Sequence, residues 1–181
     1  MDFGPNRRSL REATATAHAE LDAAVGEFRS AREYKIYLRG IHAFRAAIEP
    51  DFEASPIWTP TLIAEEAAND LRDLAVAPLD VQPLVSNGAS PSAMIGRAYV
   101  LEGSGLGARV LVRSAQALGF HQEHGARHLW KQAHAHENWR AFLVRLEQAD
   151  VIIDAAIDEA VLSFVHARAA MAAAAHKALN E

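Results

Sequence analysis

Three glycines at alternate positions, Gly103, Gly105 and Gly107, interrupt the otherwise apolar, helix-forming stretch Ala98 to Arg113, AYVLEGSGLGARVLVR. Each glycine in a helix interior costs about 1 kcal/mol relative to alanine, so three together imply a bend or a close backbone approach. As written, Gly103, Gly105 and Ala108 also satisfy G-x-G-x-x-A, the dinucleotide-binding fingerprint, which counts only when it follows a strand and opens a βαβ unit. The flanking sequence denies it that setting. Upstream, Ser90 can cap a helix with Pro91 in its first turn, and Met94, Ile95, Ala98 and Leu101 recur at threes and fours. Downstream, FHQEHGARH holds no apolar run to serve as a second strand. The glycines therefore read as a bend within one long helix, facing either a tight helix crossing or a ligand.

The rest of the chain is equally helical in pattern. Half of its 181 residues are hydrophobic, alanine dominates them and β-branched runs are scarce, which predicts packed helices in a single domain. With no cysteine, disulfides, thiolate metal sites and thiol nucleophiles are excluded. A formal net charge of -5 argues against nucleic acid as a partner. No stretch approaches the roughly 20 uninterrupted apolar residues that span a bilayer, and MDFGPNRRSL lacks the apolar core of a signal peptide. The expectation is a soluble, cytoplasmic protein with no membrane partner.

Taken in order, residues 1–8 read as a polar arm, and Ser9 with Glu12 forms a capping box for a first helix running to Val25. Its apolar stripe is Leu10, Thr14, Ala17, Leu21 and Val25, with His18 on the stripe and Arg11 roughly 10 Å away along the same face. Ser30 caps a second helix carrying Tyr34, Tyr37, Leu38, Ile41, Phe44, Ile48 and Phe52, bent at Pro50 and reaching Pro56; His42 and Arg45 flank its stripe as surface residues. A third helix starts near Thr59-Pro60 and ends near Leu74, and Pro78, Pro83 and Asn87-Gly88 mark a loop with one short helical turn. Five histidines, His121, His124, His128, His134 and His136, lie in a polar segment that reads as a solvated loop and short helix. The spacing of His124 and His128 would also suit a metal. Two more helices follow, one with Trp139, Phe142, Leu143 and Leu146 inward and Arg140 beside them. The other is longer, burying Ile153, Ile157, Ala160, Val161 and Phe164 and ending in a loosely held tail, 169–181. The fold class is all-α, a bundle of about seven helices.

Two segments carry a resemblance. LREATATAHAELD, Leu10 to Asp22, resembles the opening helix of the haem oxygenases, and YVLEGSGLGAR, Tyr99 to Arg109, resembles the glycine-rich helix of their bacterial branch, especially the biliverdin-producing enzymes that accompany bacteriophytochromes. Helical pattern, length and order agree from about Ser9 to Arg168. The resemblance implies that His18 is the proximal iron ligand and that Gly103 to Ala108 lies over the opposite haem face, with Gly103, Ser104 and Gly107 at the reacting side. It implies further that Arg11 pairs with a haem propionate, that Arg140 supplies another such cation, that Thr14 and Ala108 contact the haem and that Phe164 lines the pocket. A neutral imidazole on a helix face suits iron, and cations at a pocket mouth suit propionates.

The reaction so implied is oxidative opening of haem to biliverdin, with release of carbon monoxide and ferrous iron, using O2 and electrons from an external reductase. Haem is then both substrate and cofactor, and a bacteriophytochrome is a candidate acceptor of the biliverdin. Two positions depart from the family pattern. Ser104 stands nearest the place where many members carry an aspartate, and Ala108 replaces a glycine, adding a methyl group near the expected haem plane. A haem carrier or sensor on the same fold is the alternative, and the same architecture also hosts thiamin-degrading and quinone-cofactor enzymes.

Overall fold

Seven α-helices make up the computed structural model, which describes residues 4–53, 55–84 and 90–181: α1 (Pro5–Val25), α2 (Ala31–Ile48), α3 (Ala64–Asp73), α4 (Pro91–Ala117), α5 (Arg127–His134), α6 (His136–Gln148) and α7 (Ile153–Leu179). Among the described residues there is no strand, only isolated bridges from His121 to His124 and Gly125.

The helix ends follow their caps. Ser30 and Ser90 accept the amides of Glu33 and Ala93, each at 3.2 Å, as expected for N-caps. Helix α1, by contrast, starts at Pro5 rather than Ser9. Glu147 of α6 accepts the amides of Asn6 at 3.2 Å and Arg7 at 2.9 Å, so a distant carboxylate replaces the local capping box and makes Pro5–Arg8 helical rather than an arm. Helix α3 likewise starts late. Buried Glu49 accepts the amides of Ile63 at 2.8 Å and Ala64 at 2.9 Å, which leaves 58–63 outside any helix. Pro50 falls in a 3-10 turn, Glu49–Phe52, that closes α2. No helical turn forms in 76–84, and the Asn87-Gly88 signal lies outside the described residues.

Helix α7 packs against α1, α2 and α4. The alternating threes and fours of α2 bury Tyr34, Tyr37, Leu38, Ile41, Phe44 and Ile48, each large side chain contributing about 1.5–3 kcal/mol. Two glycines within helices allow close approach to α7. A Cβ on Gly96 would collide with the carbonyl of Ala156, and one on Gly40 would meet Met171 Sδ at 2.6 Å. The end of α7 is held, contrary to the expectation of a loose tail: Met171 and Ala174 are buried, Arg39 binds Glu181 at 2.9 Å, and Arg32 and Lys177 donate to the carbonyls of Ala178 and Pro78. Among the alanines of this end only Ala174 is buried, so the hold comes from Met171, Ala174 and these polar ties.

Candidate functional site

Helix α4 passes unbroken through Gly103, Gly105 and Gly107. Their surroundings differ. A Cβ on Gly105 would press on the carbonyl of Gln132 at 3.2 Å, so that glycine answers to packing; one on Gly103 would only touch the ring of Trp139 at 3.9 Å, and one on Gly107 would meet nothing within 4 Å among the described residues. Gly103, Leu106, Gly107 and Val110 stand at i, i+3, i+4 and i+7 and share one face, on which Leu106 is 50% and Val110 57% exposed. Tight helix crossings belong to Gly40 and Gly96 instead, which leaves Gly103 and Gly107 unexplained by packing.

The opposite side of the same segment is polar and occupied. Ser104 donates to the carbonyl of Leu101 at 2.6 Å and accepts from Arg45 Nη2 at 3.2 Å and Gln132 Nε2 at 2.5 Å. One hydroxyl has one hydrogen and two lone pairs, so its capacity is filled. Ser104 therefore faces inward and has no hydrogen to give to the bare face. Ala108, expected beside the haem plane, is 1% exposed, with its methyl in the core. The next residue before Gly103, Glu102, is buried and accepts from Trp58 Nε1 at 3.1 Å, the Thr61 amide at 2.9 Å and Asn138 Nδ2 at 2.7 Å.

Arg45, expected at the surface, is fully buried. Its guanidinium reaches Glu49 at 3.3 Å, the carbonyl of Thr61 at 3.4 Å and the carbonyl of Leu101 at 3.2 Å. Burial lowers its pKa, and the nearby carboxylates of Glu49 and Glu102 oppose that shift. The i to i+4 spacing of Arg45 and Glu49 was the sequence signal for this pair.

On α1, His18 is not inward but 55% exposed, at the edge of the stripe. Its Nδ1 lies 2.9 Å from Asp22 Oδ2, and its ring meets Phe164, which is buried, edge-on at 5.5 Å. Thr14 is buried; its hydroxyl donates to the carbonyl of Leu10 at 2.7 Å and is in hydrogen-bond contact with Tyr99. Tyr99 thereby joins α4 to α1 one turn before Gly103. Burial raises its pKa, against the hydrogen bond with Thr14 and the charges of Arg7 and Arg11. Arg7 also stands 5.7 Å over the ring of Trp139, which packs on Tyr99 at 5.9 Å. Arg11 and Arg140 are exposed.

The structure thus gathers Arg7, Arg11, Thr14, Tyr99, Trp139 and Gly103 on one side and pairs His18 with Phe164 on the other. Among the described residues, no hydrogen bond, ion pair or ring contact joins His18 to Gly103 or Gly107, and none brings Arg140 to either group. A cavity of about 700 Å³ lies elsewhere, between the end of α1, the start of α2 and the end of α7, lined by Ala24, Val25, Ile36, Arg168, Met171 and Ala172 among others.

The histidine-rich segment separates. His121, His124, His134 and His136 are exposed, whereas His128 is fully buried, donating from Nδ1 to Asp70 at 2.7 Å. Burial pushes the Asp70 carboxyl up, but hydrogen bonds from His128 and Arg127 outweigh it and hold the pKa down. Among the described residues, His128 Nε2, His42 Nδ1 and Arg45 Nε are buried without hydrogen-bond partners. Among the described residues no group of three metal-ligating side chains forms, and no helix is long and apolar enough to cross a membrane.

No protein-family model matches the chain, and no curated protein matches it in sequence. The fold is similar to that of the NO- and CO-bound heme oxygenase from Neisseria meningitidis, with a TM-score of 0.73 and 26% identity over 99% of this chain and 94% of that one. That likeness extends over nearly the whole chain, and the all-helical architecture of the described residues excludes the dinucleotide fold. The chain therefore has a haem oxygenase-like, all-α fold.

Proposed function

We propose that this protein is a haem oxygenase that opens haem to biliverdin, releasing carbon monoxide and ferrous iron, with O2 as oxidant and an external reductase as electron source. The observation that carries the reading is the bare face of α4: two glycines that packing does not need, at i and i+4, in a fold shared with a heme oxygenase.

The side chains suit haem by their own chemistry. With Nδ1 engaged by Asp22, a neutral His18 keeps its lone pair on Nε2, the arrangement in which an imidazole ligates iron. Phe164 supports the imidazole edge-on. Arg11 and Arg7, both beside Tyr99, supply cations for propionates, and Thr14 ties that edge to α1. Gly103 and Gly107 let helix backbone approach a flat ligand where any side chain would stand it off. Bound haem supplies the oxygen chemistry; the chain orients it and limits water. Within this proposal the setting is cytoplasmic, and a bacteriophytochrome is one acceptor for the biliverdin.

Adding hemin tests it. We expect a histidine-type Soret band at about one haem per chain, lost in His18→Ala, followed by biliverdin absorbance when a reductase and O2 are supplied. No Soret band in the wild type would end the reading. A second reading, a haem carrier or sensor, is favoured by one observation: the filled hydroxyl of Ser104, which leaves the bare face without a side-chain donor. Stable haem under turnover conditions, with no bilin, would select it.

A further inference from the structure

Ser104 sits in mid-helix beside the glycine face, yet its hydroxyl is engaged on the far side of α4. A serine there has more than one rotamer, and bonding back to a carbonyl three residues earlier is only one of them. Ser104 makes that bond, to Leu101 at 2.6 Å. Two further donors converge on the same oxygen from different helices: Arg45 of α2 at 3.2 Å and Gln132 of α5 at 2.5 Å. Arg45 is fully buried and Gln132 is 3% exposed, so neither can find water if the hydroxyl swings away.

We infer that Arg45 and Gln132 are positioning residues that hold the Ser104 hydroxyl on the inner side of α4, so that the glycine face offers backbone and solvent, but no side-chain hydrogen, to its ligand. The geometry is independent of what that ligand is; its consequence for haem rests on the function proposed above. Gln132 loses its amide donor contact in the outward rotamer, which biases the hydroxyl inward by roughly tenfold or more. Arg45 keeps the Leu101 carbonyl in either case and so fixes the helix beneath. Gly105 closes the arrangement, because a side chain there would push on the Gln132 carbonyl and move α5 off Ser104.

Two measurements on the full chain test this. In the haem-free protein, Ser104→Ala and Gln132→Met should each lower Tm by about 3 °C or more, and the double variant should lose little beyond the larger single loss, since both remove the same bond. Additive losses would overturn the inference. In the hemin-loaded protein, Ser104→Ala should leave the pH of the ferric absorption transition unchanged, while Gln132→Met, which releases the hydroxyl, should shift it. A shift in Ser104→Ala with an unchanged Tm would show the hydroxyl facing the ligand and would overturn the inference too. Failure of the wild type to bind hemin would count against the proposed function alone, and the Tm cycle would still decide the position of the hydroxyl.

Discussion

Asp22 stands one helical turn after His18, and its Oδ2 lies 2.9 Å from the imidazole Nδ1. A carboxylate can only accept, so the pairing places the hydrogen on Nδ1 and directs Nε2 away from α1. Second partners of this kind orient a ligating histidine and raise its basicity. Asp22→Ala should therefore weaken hemin binding by about tenfold while leaving Tm nearly unchanged, because both side chains are more than half exposed. Hemin titration followed at the Soret band measures this, and an unaltered affinity would mean that the ring needs no such anchor.

Gly107 and Gly96 lie on one helix and should respond in opposite ways to the same methyl group. At Gly107 the added Cβ meets nothing within 4 Å, so Gly107→Ala gains about 0.5–1 kcal/mol of helix stability in urea denaturation. The same methyl intrudes on the bare face, so hemin affinity or turnover should fall. At Gly96 the added Cβ collides with the carbonyl of Ala156, backbone that cannot yield, and Gly96→Ala should cost at least about 3 kcal/mol. Equal stability of the two variants would refute this division of roles.

Local signals carried most of the fold. The threes and fours of α2, the Ser30 and Ser90 caps and the Pro91 start all hold in the structure because they need only the segment's own residues. What failed depended on distant partners. Ser9 loses the start of α1 to Glu147, and α3 waits for Glu49. Arg45 is drawn inward by Glu49 and the Leu101 carbonyl, although its position on α2 reads as a flank. For the candidate site, the sequence marked Gly103 and Gly107 as glycines out of place but could not separate them from Gly105, whose neighbour is 27 residues away in the chain. It also could not tell which side of α4 receives the Ser104 hydroxyl or the Ala108 methyl. Both depend on the helix's rotation against α2 and α5.

Acid should unfold the protein in two stages set by named groups. His42 has its pKa lowered, first by burial and then by the neighbouring His128, so the unfolded chain takes up a proton at this site more readily than the folded one. Its contribution is fully present above the ordinary histidine range, near pH 6.5, and is lost as pH falls below it. Asp70 acts lower down: its depressed pKa gives stability that is present above about pH 4 and lost as pH falls through the folded value. Tm measured from pH 8 to pH 3 should decline below about 6.5 and again below about 4. His42→Gln should flatten the first decline without touching the second. Identical profiles for the variant and the wild type would remove His42 from this account.

Arg45 ties α2 to the glycine segment of α4 through a fully buried guanidinium, so its removal tests what holds that segment in place. Arg45→Met keeps most of the volume but leaves the Glu49 carboxylate without its cation and the Leu101 carbonyl without an extra donor. Breaking a buried pair from one side costs about 3–5 kcal/mol, and Glu49 retains two backbone amides, which places the loss near about 3 kcal/mol. Lysine should not restore it. An ammonium presents a point charge where Arg45 spreads donors over Glu49, Thr61, Leu101 and Ser104, and Arg45→Lys should recover less than half of the loss. Full recovery in urea denaturation would reduce Arg45 to a buried charge and deny it the geometric role.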